Sequence, residues 1–220
     1  MVPPYQKDQV NSNFVTEDFS QRRTPYLSRF LQVSHNAQIH FDHLNGPFLA
    51  GGSIRRLYDL YLGNEVPGKF DFDIFFKDSM QYEEAYYKLF SVGADLVSDT
   101  RLKADFLKEG FNFQLVRRGW FKNSEEVIKD FDITICCFAI DDSWQVLATH
   151  RAVHDLMMRR LEIDHMDDPL ATFVRLMKYH RQGFNIGQTS LVDFMVQSES
   201  LITPELIKKW EMIFQLTGEI

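Results

Sequence analysis

Two aspartates one residue apart, Asp71 and Asp73, sit in the apolar run KFDFDIFF (69–76). In an extended strand, residues i and i+2 face the same way. The two carboxylates therefore project together, while Phe70 and Phe72 project to the opposite face. Parallel carboxylates on a core strand repel each other, and burying them without partners is costly. A divalent cation removes both difficulties, since Mg²⁺ takes hard oxygen ligands, typically one or two carboxylates plus substrate phosphates. A solvated edge strand accounts for a lone Asp-x-Asp equally well, so the neighbouring motifs carry the weight.

Three of them bear on the choice. Gly51-Gly52-Ser53 stands between a short strand, PFLAGG (47–52), and a helix over 53–62. Glycines let a backbone approach a ligand closely, and a helix N-terminus favours phosphate; taken alone, the same glycines make a plain strand-to-helix turn. A third carboxylate, Asp132, opens FDITICCFAI (131–140), the strongest buried-strand pattern of the chain. If that strand lies beside the first, the three carboxylates form a cluster; otherwise Asp132 is an ordinary strand-start residue. Arg55 and Arg56 occupy the first helical turn, where positive charge opposes the helix dipole. Either simple exposure or a bound triphosphate accounts for them.

The elements that must position these residues follow from pattern. Residues 1–23 are polar and read as a flexible arm, or a segment ordered by a protein partner. Thr24-Pro25 starts a helix running to about Phe41. Further helices are expected at 79–92 and, as a short turn capped by Ser124, at 124–130. Strands are expected at 111–117 and 143–148. From Thr149 onward the pattern is helical, with segments near 149–161, 169–182, 188–198 and 204–216; Asp168-Pro169 and Thr203-Pro204 are cap-plus-proline starts. The layout is an α/β (α+β) catalytic domain over 24–148, with a mixed, mostly antiparallel sheet, followed by a small helical domain over 149–220.

The bulk properties agree. The chain has 220 residues, 45% hydrophobic with 20 Phe, enough for a core of its own. A net charge of -7 makes it a poor generic binder of nucleic acid or anionic membrane, although a local basic patch is not excluded. Its two cysteines, Cys136 and Cys137, are adjacent and read as small buried hydrophobes of a reducing compartment. With no apolar leader and no bilayer-length apolar run, a soluble, intracellular protein is expected.

Gly-Gly-Ser, Asp-x-Asp and a distal strand Asp together resemble the polymerase-β-like nucleotidyltransferase superfamily. LAGGSIRRLYDLYLGN followed by KFDFDIFF is similar to the head of the tRNA CCA-adding and bacterial poly(A) polymerase group. DDPLATFVRLMKYHRQGFNI (167–186) resembles the helix that follows that head. FNFQLVRRGWFKNSEEVIKDFDITICCFAI with RLMKYHRQGF more closely resembles nucleotidyltransferase-like proteins of phages and large viruses. The resemblance covers roughly 47–186. It implies Mg²⁺ (or Mn²⁺) held by Asp71, Asp73 and Asp132, with a nucleoside triphosphate cradled by Gly51, Gly52, Ser53 and Arg55. Where the group has an Arg after its Asp-Pro-Leu, this chain has Ala171, and Arg175 one turn on is the candidate replacement.

The implied reaction transfers a nucleoside monophosphate to an acceptor hydroxyl (an RNA 3′ end, a small molecule or a protein) and releases pyrophosphate. The alternative is a non-catalytic copy of the fold serving as a structural or partner-binding piece, in a virion for instance. The expected location is the cytoplasm of a bacterial or virus-infected cell, or the virion. His150 and His154 have a metal-compatible spacing, but no third ligand is evident beyond His165 or His180. Arg151, Arg159, Arg160, Arg175, Lys178 and Arg181 form a basic set that either lines a groove or is a solvated helix face.

Overall fold

The computed structural model describes residues 13–64 and 70–201, together with 203, 204 and 208. Residues 1–12 of the expected arm and most of the helix expected over 204–216 lie outside that range.

An eight-stranded sheet runs through the molecule in the order β1-β8-β7-β2-β3-β6-β5-β4. Its strands are β1 (Phe14–Asp18), β2 (Phe48–Ala50), β3 (Asp71–Phe75), β4 (Asp95–Asp99), β5 (Lys103–Lys108), β6 (Phe111–Val116), β7 (Phe138–Ile140) and β8 (Gln145–Thr149). β3 and β6 pair in parallel and the other neighbours are antiparallel. The mixed, mostly antiparallel sheet is therefore the one expected.

Helices flank it: α1 (Pro25–Asn36), α2 (Gly52–Tyr61), α3 (Ser79–Ser91) and α4 (Ser124–Lys129). Beyond the sheet come α5 (His150–Met157), α6 (Pro169–Arg181) and α7 (Gln188–Leu201), with two two-residue strands, β9 (Arg160–Leu161) and β10 (Asn185–Ile186), pairing in parallel. The capping logic holds at α1, where Thr24 Oγ1 accepts from the Leu27 amide at 3.3 Å. It holds again at α6, where Asp168 Oδ1 accepts from the Leu170 and Ala171 amides, each at 3.1 Å.

Phe72 explains the apolar half of the central strand. It is fully buried and stacks on Phe30 of α1 with ring centroids 3.6 Å apart. Ile74 and Phe76 follow it into the core on the same side. The face bearing Asp71 and Asp73 is closed off one step further on by Phe75, which meets Phe121 and Phe131 edge-on.

Several expectations are corrected. Phe14–Asp18, assigned from sequence to the arm, forms β1 at the sheet edge, with Phe14 opposite Thr149 and Asp18 opposite Gln145. α1 ends at Asn36 rather than Phe41, because Gln38 takes a φ of 56° and reverses the chain; Ile39 and Phe41 are still buried and so prolong the apolar pattern. Asn123, not Ser124, caps α4, accepting from the Glu126 amide at 3.0 Å. The expected strand over 131–140 is broken: Thr134–Cys136 is a 3₁₀ turn and only Phe138–Ile140 joins the sheet. β4 and β5, which extend the sheet beyond β6, were absent from the sequence reading.

Candidate active site

Register builds the site. Across the sheet, Ala50, Asp73, Gln114 and Asp105 stand opposite one another on β2, β3, β6 and β5, so their side chains share one face. Two residues back, Asp71 stands opposite Asn112. The Asn112 amide Nδ2 donates to Asp71 Oδ1 at 3.0 Å. No hydrogen bond reaches the Asp73 carboxylate from any described residue. Burial, opposed by Lys103 and reinforced by Asp71, pushes its pKa up to about 7.

The strand-to-helix turn closes over this pair. Gly51 caps α2 with a φ of 95°, a conformation open to glycine, and a Cβ there would lie 3.2 Å from Asp73 Oδ2. Ile54 and Arg55 both donate their amides back to the Gly51 carbonyl. The Gly52 and Ser53 amides precede the first helical bond and have no helical partner. Ser53 is 4% exposed, and its buried Oγ has no hydrogen-bond partner among the described residues. Free amides, an unsatisfied hydroxyl and a helix N-terminus together suit an anion.

Two adjoining pockets of about 260 and 300 Å³ lie over these groups. Both contain Gly52, Asp73, Gln114, Lys178 and Tyr179; the first adds Ser53, Arg55, Arg56 and Asp71, and the second Lys103, Arg118, Asp132 and Arg175. The far wall is α6. Its Tyr179 hydroxyl lies 3.4 Å from where a Gly52 side chain would begin, and it accepts from the Cys136 thiol at 3.0 Å. Burial raises the Cys136 pKa to about 11, so this thiol is a packing group and not a nucleophile.

The structure thus brings Gly51, Gly52, Ser53, Asp71 and Asp73 together. It treats the other candidates differently. Asp132 is buried, and its Oδ2 accepts from Thr172 Oγ1 at 2.6 Å and from Arg175 Nε and Nη2 at 2.9 and 2.5 Å. Asp132 and Arg175 line the second pocket as an ion pair of their own, and among the described residues the three aspartates do not gather as one ligand cluster. Arg55 is 1% exposed: it donates to Gln182 Oε1 at 2.9 Å and Asp59 Oδ2 at 3.4 Å, and packs over Tyr179 and Phe184. It ties α2 to α6, which is why a first-turn arginine is tolerated against the dipole. Arg56 lies over the Phe70 ring, 4.2 Å from its centroid.

Sequence reasoning missed Gln114, Lys103 and Arg118. The signal for Gln114 was present: FNFQLV alternates apolar and polar with the same period as FDFD, so Asn112 and Gln114 mark a second strand on the polar face. Of the basic set, Lys178 faces the site, while Arg151 pairs with Asp164 and Arg159 with Asp59. His150 and His154 gather no third ligand among the described residues.

A family model described as Gabija anti-defense 2 family protein matches residues 20–159. The chain belongs to that family. A curated relative, Gabija anti-defense 2 of Bacillus phage SPbetaL7, is 21% identical over 150 residues, 67% of this chain and 36% of the relative. Among solved structures, the Thermotoga maritima CCA-adding enzyme complexed with tRNA superposes with a TM-score of 0.60 at 20% identity, covering 84% of this chain and 46% of that one. A CCA-adding enzyme complexed with ATP covers 91% of this chain and 50% of its own, with a TM-score of 0.58 at 20% identity. The fold is therefore that of a nucleotidyltransferase head. The chain spans about a third of the curated relative and about half of these enzymes. No helix among the described residues is long and apolar enough to cross a membrane.

Proposed function

We propose that this chain is a divalent-metal-dependent nucleotidyltransferase that moves a nucleoside monophosphate from a triphosphate to an acceptor hydroxyl and releases pyrophosphate, in the service of phage counter-defence. One observation carries the reading. The Asp73 carboxylate, beside Asp71 and without a hydrogen bond among the described residues, faces a helix N-terminus whose buried Ser53 hydroxyl likewise has no partner among them. One half of the site suits a hard cation and the other an anion, which is the pairing a metal–triphosphate presents.

Asp71 and Asp73 are the residues that would hold Mg²⁺ or Mn²⁺, which would supply charge neutralisation of the phosphates and of the attacking oxygen. The Gly52 and Ser53 amides and Ser53 Oγ hold the terminal phosphates. Lys178, from α6, and Lys103 add positive charge to the same pockets. The acceptor oxygen attacks the α-phosphorus, the bond to the bridging oxygen breaks, and the hydroxyl proton leaves to solvent or to a carboxylate. Arg175 and Asp132 shape the second pocket, where the base or the acceptor is held. The counter-defence role rests on the name of the phage relative, and the phage source of that relative supports a reaction carried out inside an infected cell.

A non-catalytic role is favoured by a different observation: Gln114, and not a carboxylate, stands opposite Asp73, and Asp132 is committed to Thr172 and Arg175. Transfer of α-labelled triphosphates onto total RNA and onto lysate protein, with Mg²⁺ or Mn²⁺, decides between the two. Label from wild type and none from the Asp71→Asn/Asp73→Asn variant establishes the enzyme, and the labelled fraction identifies the acceptor class. No label, with no metal–triphosphate binding by calorimetry, establishes the silent module.

A further inference from the structure

At the opposite end of the sheet, His35, His40 and Asp142 converge on one point. His35 Nε2 lies 2.9 Å and His40 Nδ1 3.2 Å from the same oxygen, Asp142 Oδ2. The two rings are 4.7 Å apart, centroid to centroid. The three come from separate places: the last turn of α1, the segment after it, and the turn between β7 and β8. β2 runs from Phe48 to Ala50 and pairs antiparallel with β7, so the Asp142 end of the sheet is the one away from Gly51 and Asp73.

Backbone geometry fixes the cluster. Gln38, at a φ of 56°, folds the chain back so that His40 returns beside His35. The Gln38 amide donates to the His35 carbonyl and the Ile39 amide to that of Ser34, while Lys88 Nζ donates to the Gln38 carbonyl at 3.0 Å. The Asp142 amide donates to the Phe41 carbonyl at 3.1 Å, tying the β7–β8 turn to the same segment. Asp142 Oδ1 is buried without a hydrogen-bond partner among the described residues. Nothing in the nucleotidyl-transfer site calls for this arrangement.

We propose that His35, His40 and Asp142 form a binding site for a borderline transition-metal dication, Zn²⁺ above all, separate from the Asp71–Asp73 site. Two imidazoles and a carboxylate suit Zn²⁺ and Ni²⁺, and not Mg²⁺. Bonds of 2.0–2.1 Å in a tetrahedron put ligand atoms about 3.3 Å apart, close to the 2.9 and 3.2 Å found here. All three ligand atoms lie within 4.8 Å of one another. The neutral rings then carry their protons on His35 Nδ1 and His40 Nε2, which leaves the convergent nitrogens free to ligate. His40 is 65% exposed at its side chain, so the ion has an open path and water completes its coordination. Binding staples the end of α1 to the β7–β8 turn.

The test uses the full chain carrying Asp71→Asn/Asp73→Asn, so that the other carboxylate pair does not contribute, stripped with chelator. Zn²⁺ is titrated by calorimetry, and Co²⁺ by its visible absorption. The expected result is one ion per chain, a rise in melting temperature with Zn²⁺, and a tetrahedral Co²⁺ band. His40→Ala, at an exposed position, lowers affinity at least tenfold and removes the band, and His35→Ala does the same. His43→Ala, whose ring is engaged with Ser124 Oγ and the Gln145 carbonyl, leaves binding unchanged. No Zn²⁺ binding at 100-micromolar-order concentrations, or unaltered binding by the His35→Ala/His40→Ala chain, overturns the proposal and leaves a hydrogen-bonded cluster only.

Discussion

Asp73 is where electrostatics and chemistry meet in a single side chain. Its pKa is raised from the ordinary 3.8 to about 7, first by burial. Between those two pH values the folded, metal-free chain holds a proton that the unfolded chain has lost. Stability therefore falls as pH rises from about 4 to about 7 and levels off above. Asp73→Asn removes this dependence because an amide does not ionise. The melting temperature of the variant minus that of wild type, in chelator, is expected to grow from pH 5 to pH 8. Added Mg²⁺ should then raise wild type at pH 8 and leave the variant where it was. A difference that stays flat with pH would show that the Asp73 carboxylate is not desolvated. Arg55 teaches the converse lesson at the same scale: an arginine two residues beyond Gly-Gly-Ser belongs to the packing of Tyr179 and Phe184, and only the three-dimensional neighbours reveal it.

The β2–α2 turn is the element on which the site depends. Gly51 must occupy a left-handed conformation, and its missing Cβ leaves room for Asp73 Oδ2 and Phe131 Cζ, each 3.2 Å from the ideal Cβ position. Gly51→Ala combines backbone strain of about 1–3 kcal/mol, at a φ of 95° and ψ of −154° that are open essentially to glycine alone, with a push against a carboxylate and a ring. The expected outcome is a lowered urea midpoint at unchanged m-value, with metal–triphosphate affinity reduced alongside. Gly52→Ala, whose Cβ meets, among the described residues, the Tyr179 hydroxyl at 3.4 Å, should cost much less. Equal losses from the two would contradict the geometry. This turn was legible in the sequence because glycine, serine and Asp-x-Asp have few other reasons to occur in that order. The 131–140 segment was not legible as a broken strand. A continuous apolar run has no period, so burial alone cannot separate strand from 3₁₀ turn, and every residue from Asp132 to Ile140 is buried. β1 was hidden for the opposite reason: an edge strand covered on one side needs little hydrophobicity, and FVTED alternates only weakly.

Over the whole molecule, the helical segment after Thr149 and the sheet share buried charges. Asp59 of α2, 2% exposed, accepts from Arg159 Nη1 at 3.0 Å. Arg55 reaches Gln182, and Asp132 is paired with Arg175 and accepts a hydrogen bond from Thr172, both on α6. Thr134 Oγ1 donates to the buried Asp155 of α5 at 2.7 Å. Removing one partner of a buried ion pair costs about 3–5 kcal/mol, because the remaining charge is left without compensation. A chain ending at Met158 would lose the partners of Arg55 on α6 and both partners of Asp132, together with the Tyr179 hydroxyl that receives the Cys136 thiol. Set against a total stability of about 5–15 kcal/mol, losing these partners together with the packing of α6 leaves the sheet with little margin. The sheet and the helical segment are therefore expected to unfold as one cooperative unit: a single calorimetric transition for the full chain, and no cooperative transition for residues 1–158. Two resolved transitions, or a stably folded 1–158 fragment, would mean that these ion pairs join two independent domains. The sequence-derived division at residue 148 would then describe folding as well as composition. In the single-unit case, α6 is a wall of the site that the sheet cannot do without. The family match ending at residue 159 then covers the carboxylate strand and the β2–α2 turn but not the surface that closes over them.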